Sequence, residues 1–171
     1  MLDNDEKKSY ITIVNYQKLQ PIGELYTCLQ GEGKYIGAPH ILIRVSGCRL
    51  RCQFQDSFCD TPYASWKPEK GKYTLNDVVE FYENNPQVKY TMITGGGPTI
   101  HPELLKELCI IGKRYNHTIT IETEGSEFVQ TVADNISLSP KLSNSTPRPG
   151  TWMPFANREV TESDKKKHEK W

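Results

Sequence analysis

Short runs of β-branched and apolar residues recur along the chain, separated by segments whose apolar residues fall at helical spacing. Ile41-Leu42-Ile43-Arg44-Val45, Tyr90-Thr91-Met92-Ile93, Thr118-Ile119-Thr120-Ile121 and Ile136-Ser137-Leu138 read as four strands, and Gly23 to Leu29 as an extended stretch before the first. Between the first two strands, Thr74 to Asn84 predicts a helix opened by a capping box, Thr74 preceding Asp77 by three. Between the second and third, Pro102 suits a first helical position and Glu103 a first turn. Leu104, Leu105, Leu108 and Ile111 then build one apolar face. Strands alternating with helices predict an α/β fold with mainly parallel pairing and right-handed crossovers. Periodicity does not choose between an open sheet and part of a (β/α) barrel. After Lys141 the pattern stops, and residues 143–171, rich in proline and charge, predict no further strand. The chain divides on this reading into a core domain, 1–142, and a C-terminal tail, 143–171.

The polar residues with chemical promise all lie at or just past the C-terminal ends of these strands. Arg44 leads into a cysteine loop, Ile93 into Thr94-Gly95-Gly96-Gly97-Pro98, Ile121 into Glu122-Thr123-Glu124-Gly125, and Leu138 into Ser139-Pro140-Lys141. Parallel α/β folds assemble their sites at that edge. In the loop, Cys48-Arg49-Leu50-Arg51-Cys52 is followed by Cys59. Three thiols close in sequence suit a metal ion or an iron–sulfur cluster, and three protein ligands leave a coordination position open for chemistry. Arg49 and Arg51 make the loop polar, so inert core packing does not explain Cys48 and Cys52. Cys28, in a strand, and Cys109, between Leu108 and Ile110 of a helix, read as packing residues.

Charge and composition narrow the partners. Lys plus Arg and Asp plus Glu each number 21, so the formal net charge is zero. That balance argues against a broad electrostatic footprint for nucleic acid. The single basic run, Lys165-Lys166-Lys167-His168, reads as a solvated tail. Met1 to Lys8 lacks the apolar segment of a signal peptide, and no run approaches the ~20 apolar residues of a membrane span. The expected compartment is the cytoplasm, where the 5 cysteines stay reduced or bind metal.

Taken in order, Gly23-Glu24, Leu29-Gln30-Gly31-Glu32-Gly33, Gly37-Ala38-Pro39, Arg44, Gly47-Cys48 to Cys52 and Cys59-Asp60-Thr61 resemble the 7-carboxy-7-deazaguanine synthase family of radical S-adenosylmethionine enzymes. Thr94-Gly95-Gly96, Glu122-Thr123 with Gly125, and Ser139-Pro140-Lys141 continue the resemblance. It implies a shortened, partial radical SAM (β/α) barrel that converts 6-carboxy-5,6,7,8-tetrahydropterin to 7-carboxy-7-deazaguanine with loss of ammonia, towards queuosine and related 7-deazaguanines. It implies a [4Fe–4S] cluster on Cys48, Cys52 and Cys59, S-adenosylmethionine, and Mg2+ at Thr61. Cofactor contacts fall on Phe58, Cys59, Asp60, Gly96, Ser139, Pro140 and Lys141, and substrate contacts on Leu29, Gln30, Gly31, Glu32, Arg44 and Thr94. An electron donor such as flavodoxin or ferredoxin and a homodimer are also implied.

Each assignment has a plainer rival. Gly31 and Gly33 could serve turns, Arg44 could pair structurally with Glu24 or Glu122, Gly95 to Gly97 could be a flexible loop, and Thr61 before Pro62 could be turn chemistry. The sequence also departs from the family. Gln55-Asp56-Ser57-Phe58 is inserted ahead of the third cysteine. Gly97 stands where the family commonly has a Glu that accepts from the cofactor's amino group, a contact that water or a nearby acceptor such as Glu122 would have to supply. The family continues through further β–α units. Two alternatives therefore stay open: an activase that installs a glycyl radical on a partner protein, and a non-catalytic, truncated metal-binding scaffold.

Overall fold

A computed structural model describes residues 15–171; the Met1–Lys8 stretch lies outside the described residues. The central sheet holds β1 (Ile22–Leu29), β2 (Pro39–Val45), β5 (Tyr90–Gly95), β6 (Thr118–Thr123) and β7 (Asn135–Leu138), in the order β1-β2-β5-β6-β7. The last four run parallel; β1 joins antiparallel to β2, with Glu24 opposite Arg44. The four sequence-predicted strands and the extended stretch before them are thus one mainly parallel sheet. Register places Arg44 opposite Thr94, and Glu122 opposite Ser137.

Two crossovers carry helices, α1 (Leu75–Asn84) and α2 (Pro102–Arg114). The α1 capping box forms as the sequence predicts: Thr74 Oγ1 accepts from the Asp77 N–H at 3.1 Å, and Asp77 Oδ2 accepts from the Thr74 N–H at 2.7 Å. Pro102 occupies the first turn of α2, where its missing N–H costs no bond. Both helices lie on one face of the sheet. Ile41, Ile43, Val45, Ile93, Ile119 and Ile121 meet Leu75, Val78, Tyr82, Leu104, Leu105, Leu108 and Ile111 there in one core. Strand side chains alternate between faces, so Arg44, Met92, Thr94 and Glu122 point the other way, into an open cavity. The alternation that builds the core also supplies the floor of the site.

The segment after Lys141 departs from the sequence reading. It contains a two-stranded hairpin, β8 (Trp152–Met153) with β9 (Arg158–Glu159), and a helix α3 (Glu162–Glu169). A second capping box opens α3: Thr161 Oγ1 accepts from the Asp164 N–H at 3.2 Å, and Asp164 Oδ2 accepts from the Thr161 N–H at 2.9 Å. Met153 and Val160 pack with Trp66 in a small second core. His168, read as part of a solvated run, is buried; its Nδ1 accepts from the Arg51 N–H at 3.2 Å and its Nε2 lies 3.1 Å from Ser145 Oγ. No α-helix among the described residues is long and apolar enough to cross a membrane.

Candidate functional site

The site begins where β2 ends. Beyond Val45 the chain turns through Gly47 into the cysteine loop, and Gly47 N–H donates to Ala64 O at 2.8 Å, closing the loop on itself. The inserted residues form a hairpin, β3 (Gln53–Phe54) with β4 (Ser57–Phe58), and Gln55 takes the left-handed conformation the tight turn demands, φ 38°. The hairpin returns the chain to its start, so that Cys59 N–H donates to Cys52 O at 3.1 Å. Trp66 Nε1 donates to the same carbonyl at 3.1 Å. Four extra residues between the second and third cysteines therefore bulge outward without separating them.

The glycine run after β5 is not a flexible loop. A Cβ on Gly95 would lie 2.0 Å from Val45 O, and one on Gly96 2.3 Å from Gly47 O. Gly96 N–H donates to Val45 O at 3.1 Å and Gly97 N–H to Gly47 O at 2.8 Å. Only glycine allows the two backbones this approach, which welds the end of β5 to the root of the cysteine loop.

One cavity of about 310 Å3 gathers side chains from every predicted segment: Glu32; Arg44; Cys48, Cys52, Cys59, Asp60 and Thr61; Thr94, Gly95 and Gly96; Glu122 and Glu124; Ser139 and Lys141. Thr61 Oγ1 lies 3.4 Å from Cys59 Sγ. Lys141 Nζ donates to Ser139 Oγ at 2.6 Å. Arg44 Nε donates to Glu24, so the structural pairing and a place at the cavity hold together. Buried Gln30 stands just behind, its Nε2 donating to Glu122 Oε1 at 2.9 Å. Four predicted site residues lie outside the lining besides Gln30. Leu29 is exposed, Gly31 and Pro140 sit off the cavity, and Phe58 packs edge-on against Trp66 with centroids 5.4 Å apart. Cys109 is fully buried in the core and Cys28 half-buried on β1.

Burial pushes the Cys48 thiol up to about 11, with the Glu124 charge adding to it, and the Cys52 thiol up to about 12, with Cys59 and Cys48 adding. Thiols held this high are protonated at neutral pH until a metal replaces the proton. Among the described residues no three His, Cys, Asp or Glu side chains already converge on one metal ion. A single zinc draws its sulfurs to within ~2.3 Å of one point. An iron–sulfur cluster instead puts each thiolate on its own iron, and three free thiols on one cavity wall fit that donor pattern.

Glu124 was missed in the sequence. Its carboxylate abuts Gly97, since a Cβ there would lie 2.7 Å from Glu124 Oε1. Ser126 Oγ donates to Oε1 at 2.6 Å and Thr123 Oγ1 to Oε2 at 3.3 Å, fixing the group in place. The available signal was a second glutamate two residues after Glu122. Nothing in spacing says that the chain curls back there to reach Gly97.

Residues 42–139, more than half of the chain, match the Radical SAM superfamily. The chain is 42% identical over 126 residues to the 7-carboxy-7-deazaguanine synthase of Rhodopirellula baltica, covering 74% of this chain and 47% of that protein. The synthase of Halobacterium salinarum is 38% identical over 130 residues, with 74% and 48% covered. The crystal structure of QueE from Escherichia coli superposes with a TM-score of 0.59 at 27% identity, over 72% of this chain and 60% of that one. The chain spans about half the length of these two synthases.

Proposed function

Because this chain belongs to the Radical SAM superfamily, we propose that it is a carbon–nitrogen lyase of the 7-carboxy-7-deazaguanine synthase type. It takes 6-carboxy-5,6,7,8-tetrahydropterin to 7-carboxy-7-deazaguanine and ammonia, a step towards queuosine-type 7-deazaguanines. The observation that carries this reading is the convergence on one cavity of substrate-side residues (Glu32, Arg44, Thr94) with the three cysteines. The 42% identity to a synthase of that name gives it direction.

Cys48, Cys52 and Cys59 hold the irons of a [4Fe–4S] cluster through their thiolates. The cluster and S-adenosylmethionine, when bound, would supply one-electron chemistry. The chain's own groups bind, orient and shield. Arg44 has committed its Nε to Glu24, which leaves its terminal nitrogens to grip the pterin carboxylate in a fixed plane. Gln30 steers Glu122 by the bond at 2.9 Å and so acts on the substrate through it, while Leu29 and Gly31 flank Gln30 outside the lining. Lys141 and Ser139, joined to each other, face the cofactor with Gly96 and Asp60, while Pro140 and Phe58 support them from outside the lining. The Thr61 oxygen is the hard donor suited to Mg2+. A reductant such as flavodoxin or ferredoxin, a homodimer and a cytoplasmic setting complete the reading.

The test is anaerobic incubation of the cluster-loaded chain with the carboxy-tetrahydropterin, S-adenosylmethionine, a reductant and Mg2+. Deazaguanine product is expected. Cofactor cleavage with no deazaguanine formed would assign the chain to a different radical reaction.

A further inference from the structure

We propose that Glu124 accepts the hydrogen bonds of the α-amino group of bound S-adenosylmethionine, filling from β6 the space that Gly97 leaves open. This rests on the cofactor assignment above and adds one residue to it.

Three observations carry it. First, the position: Glu124 lines the same cavity as the three cysteines, and its Oε1, Oε2 and Cδ lie 2.7, 2.9 and 3.0 Å from where a Gly97 Cβ would be. Second, the preorganisation: Ser126 and Thr123 donate to one oxygen each. A carboxylate has about four acceptor sites, so capacity remains on the cavity side. Third, the partners: Arg44 is engaged with Glu24, Glu122 with Gln30 and Lys141 with Ser139, and although Glu32 and Asp60 also line the cavity, the atoms nearest a Gly97 Cβ all belong to Glu124. Among the described residues Glu124 forms no ion pair. A carboxylate fixed by two hydroxyls towards three would-be thiolates is unfavourable by itself, and it becomes favourable when an N–H-bearing cationic ligand lies between them. The amino group of a sulfonium amino acid is that ligand. Glu122, the acceptor the sequence offered, also lines the cavity, but its Oε1 accepts from Gln30 Nε2 and it is not among the groups nearest a Gly97 Cβ.

The geometry also specifies a rescue. The Glu124 carboxyl carbon lies 3.0 Å from where a Gly97 Cβ would be, so a side chain at position 97 enters the space that Glu124 fills. Gly97 has φ −153° and ψ 93°, an extended conformation open to any residue. A glutamate there would bring a carboxylate into the same part of the cavity once Glu124 is removed.

The experiment is an anaerobic titration of S-adenosylmethionine into the full chain, each variant matched for iron and sulfide content, with the affinity read from the perturbed spectrum of the reduced cluster. Glu124→Gln is expected to weaken binding roughly tenfold to hundredfold, the usual effect of losing a charge-assisted hydrogen bond. A deaminated analogue that keeps the sulfonium and carboxylate is expected to bind wild type and Glu124→Gln equally. Gly97→Glu in the wild-type background is expected to give no gain, because Glu124 already occupies the space; in a Glu124→Ala background it is expected to restore most of the affinity. Wild-type affinity in Glu124→Gln, an equal loss with the deaminated analogue, or loss of the cluster in that variant would each overturn the assignment of Glu124 alone. A wild-type chain that loads a cluster and binds no S-adenosylmethionine would overturn the cofactor assignment itself.

Discussion

Cys48, Cys52 and Cys59 share one cavity wall because a hairpin folds the inserted residues away between the last two. Replacing any one of them with Ala is expected to abolish the reconstituted [4Fe–4S] absorbance, while Cys28→Ala and Cys109→Ala leave it intact. Iron and sulfide counts on anaerobically prepared protein check this, and a cluster that also needs Cys28 would sink the ligand assignment. Gly96 is the other residue on which the site hangs. A Cβ there meets two backbone carbonyls, Gly47 O at 2.3 Å and Ala64 O at 2.5 Å, neither of which can swing away as a side chain could. Gly96→Ala should therefore cost about 1–3 kcal/mol, as overpacking usually does, and should lower the fraction of chains that load a full cluster. The cysteines and glycines were legible in sequence because their spacing is itself the signal. The position of Glu124 beside Gly97 was not, since it depends on how the end of β6 turns back on the end of β5.

Strands β2, β5 and β6 and helices α1 and α2 were legible because each buries a periodic apolar face, the one property that a sequence states directly, whereas β7 was legible from its short apolar alternation although Ile136 and Leu138 stay exposed. The elements beyond Lys141 bury almost none: α3 has the polar sequence Glu162-Ser163-Asp164-Lys165-Lys166-Lys167-His168-Glu169. What holds α3 is capping and ion pairing. Arg158 donates to both Asp164 oxygens, at 2.7 and 2.9 Å, while the same carboxylate closes the Thr161 capping box. The Thr161-to-Asp164 spacing was the available clue, the same one that located α1. Asp164→Ala removes the side-chain half of the capping box and leaves Arg158 without its carboxylate partner, while the Thr161 Oγ1 bond to the residue-164 N–H remains. We expect a loss of about 1–3 kcal/mol and, more specifically, faster hydrogen exchange in α3 and at Arg51, whose N–H is bonded by His168. Unchanged exchange at Arg51 would mean that α3 does not brace the cysteine loop.

At the scale of the whole molecule, two of the three buried histidines, His117 and His168, make stability depend on pH in a defined window. His168 bridges the C-terminal helix to the cysteine loop and the Ser143–Ser145 turn, and His117 sits beneath the sheet with Nδ1 2.9 Å from Thr91 Oγ1 and Tyr82 edge-on to its ring. Burial lowers both pKa values below the ordinary histidine value; at His168 the nearby Glu169 charge opposes the shift. A histidine whose folded pKa is lowered binds its proton more readily in the unfolded chain. Its neutral form thus contributes fully above the unfolded value of about 6.5, and the contribution falls as pH drops below that towards the folded value. Each histidine can add a slope of at most about 1.4 kcal/mol per pH unit within its window. The depressed carboxylates act elsewhere. Asp164 and Asp134 lie below the usual carboxylate range, through burial offset by their bonds to Arg158 and Lys113, so their contributions persist until the pH falls below about 4. Between roughly pH 7 and 5 the histidines dominate. Thermal unfolding across that range is expected to show Tm falling with acid. His168→Gln should flatten part of the fall, and His117→Gln a separate part, because the two sit in different cores and share no partner. Hydrogen exchange assigns each part: acid should loosen α3 and the cysteine loop through His168, and β5 and β6 through His117. A Tm unchanged from pH 7 to 5 would mean that both rings stay hydrated enough to accept a proton in the folded chain.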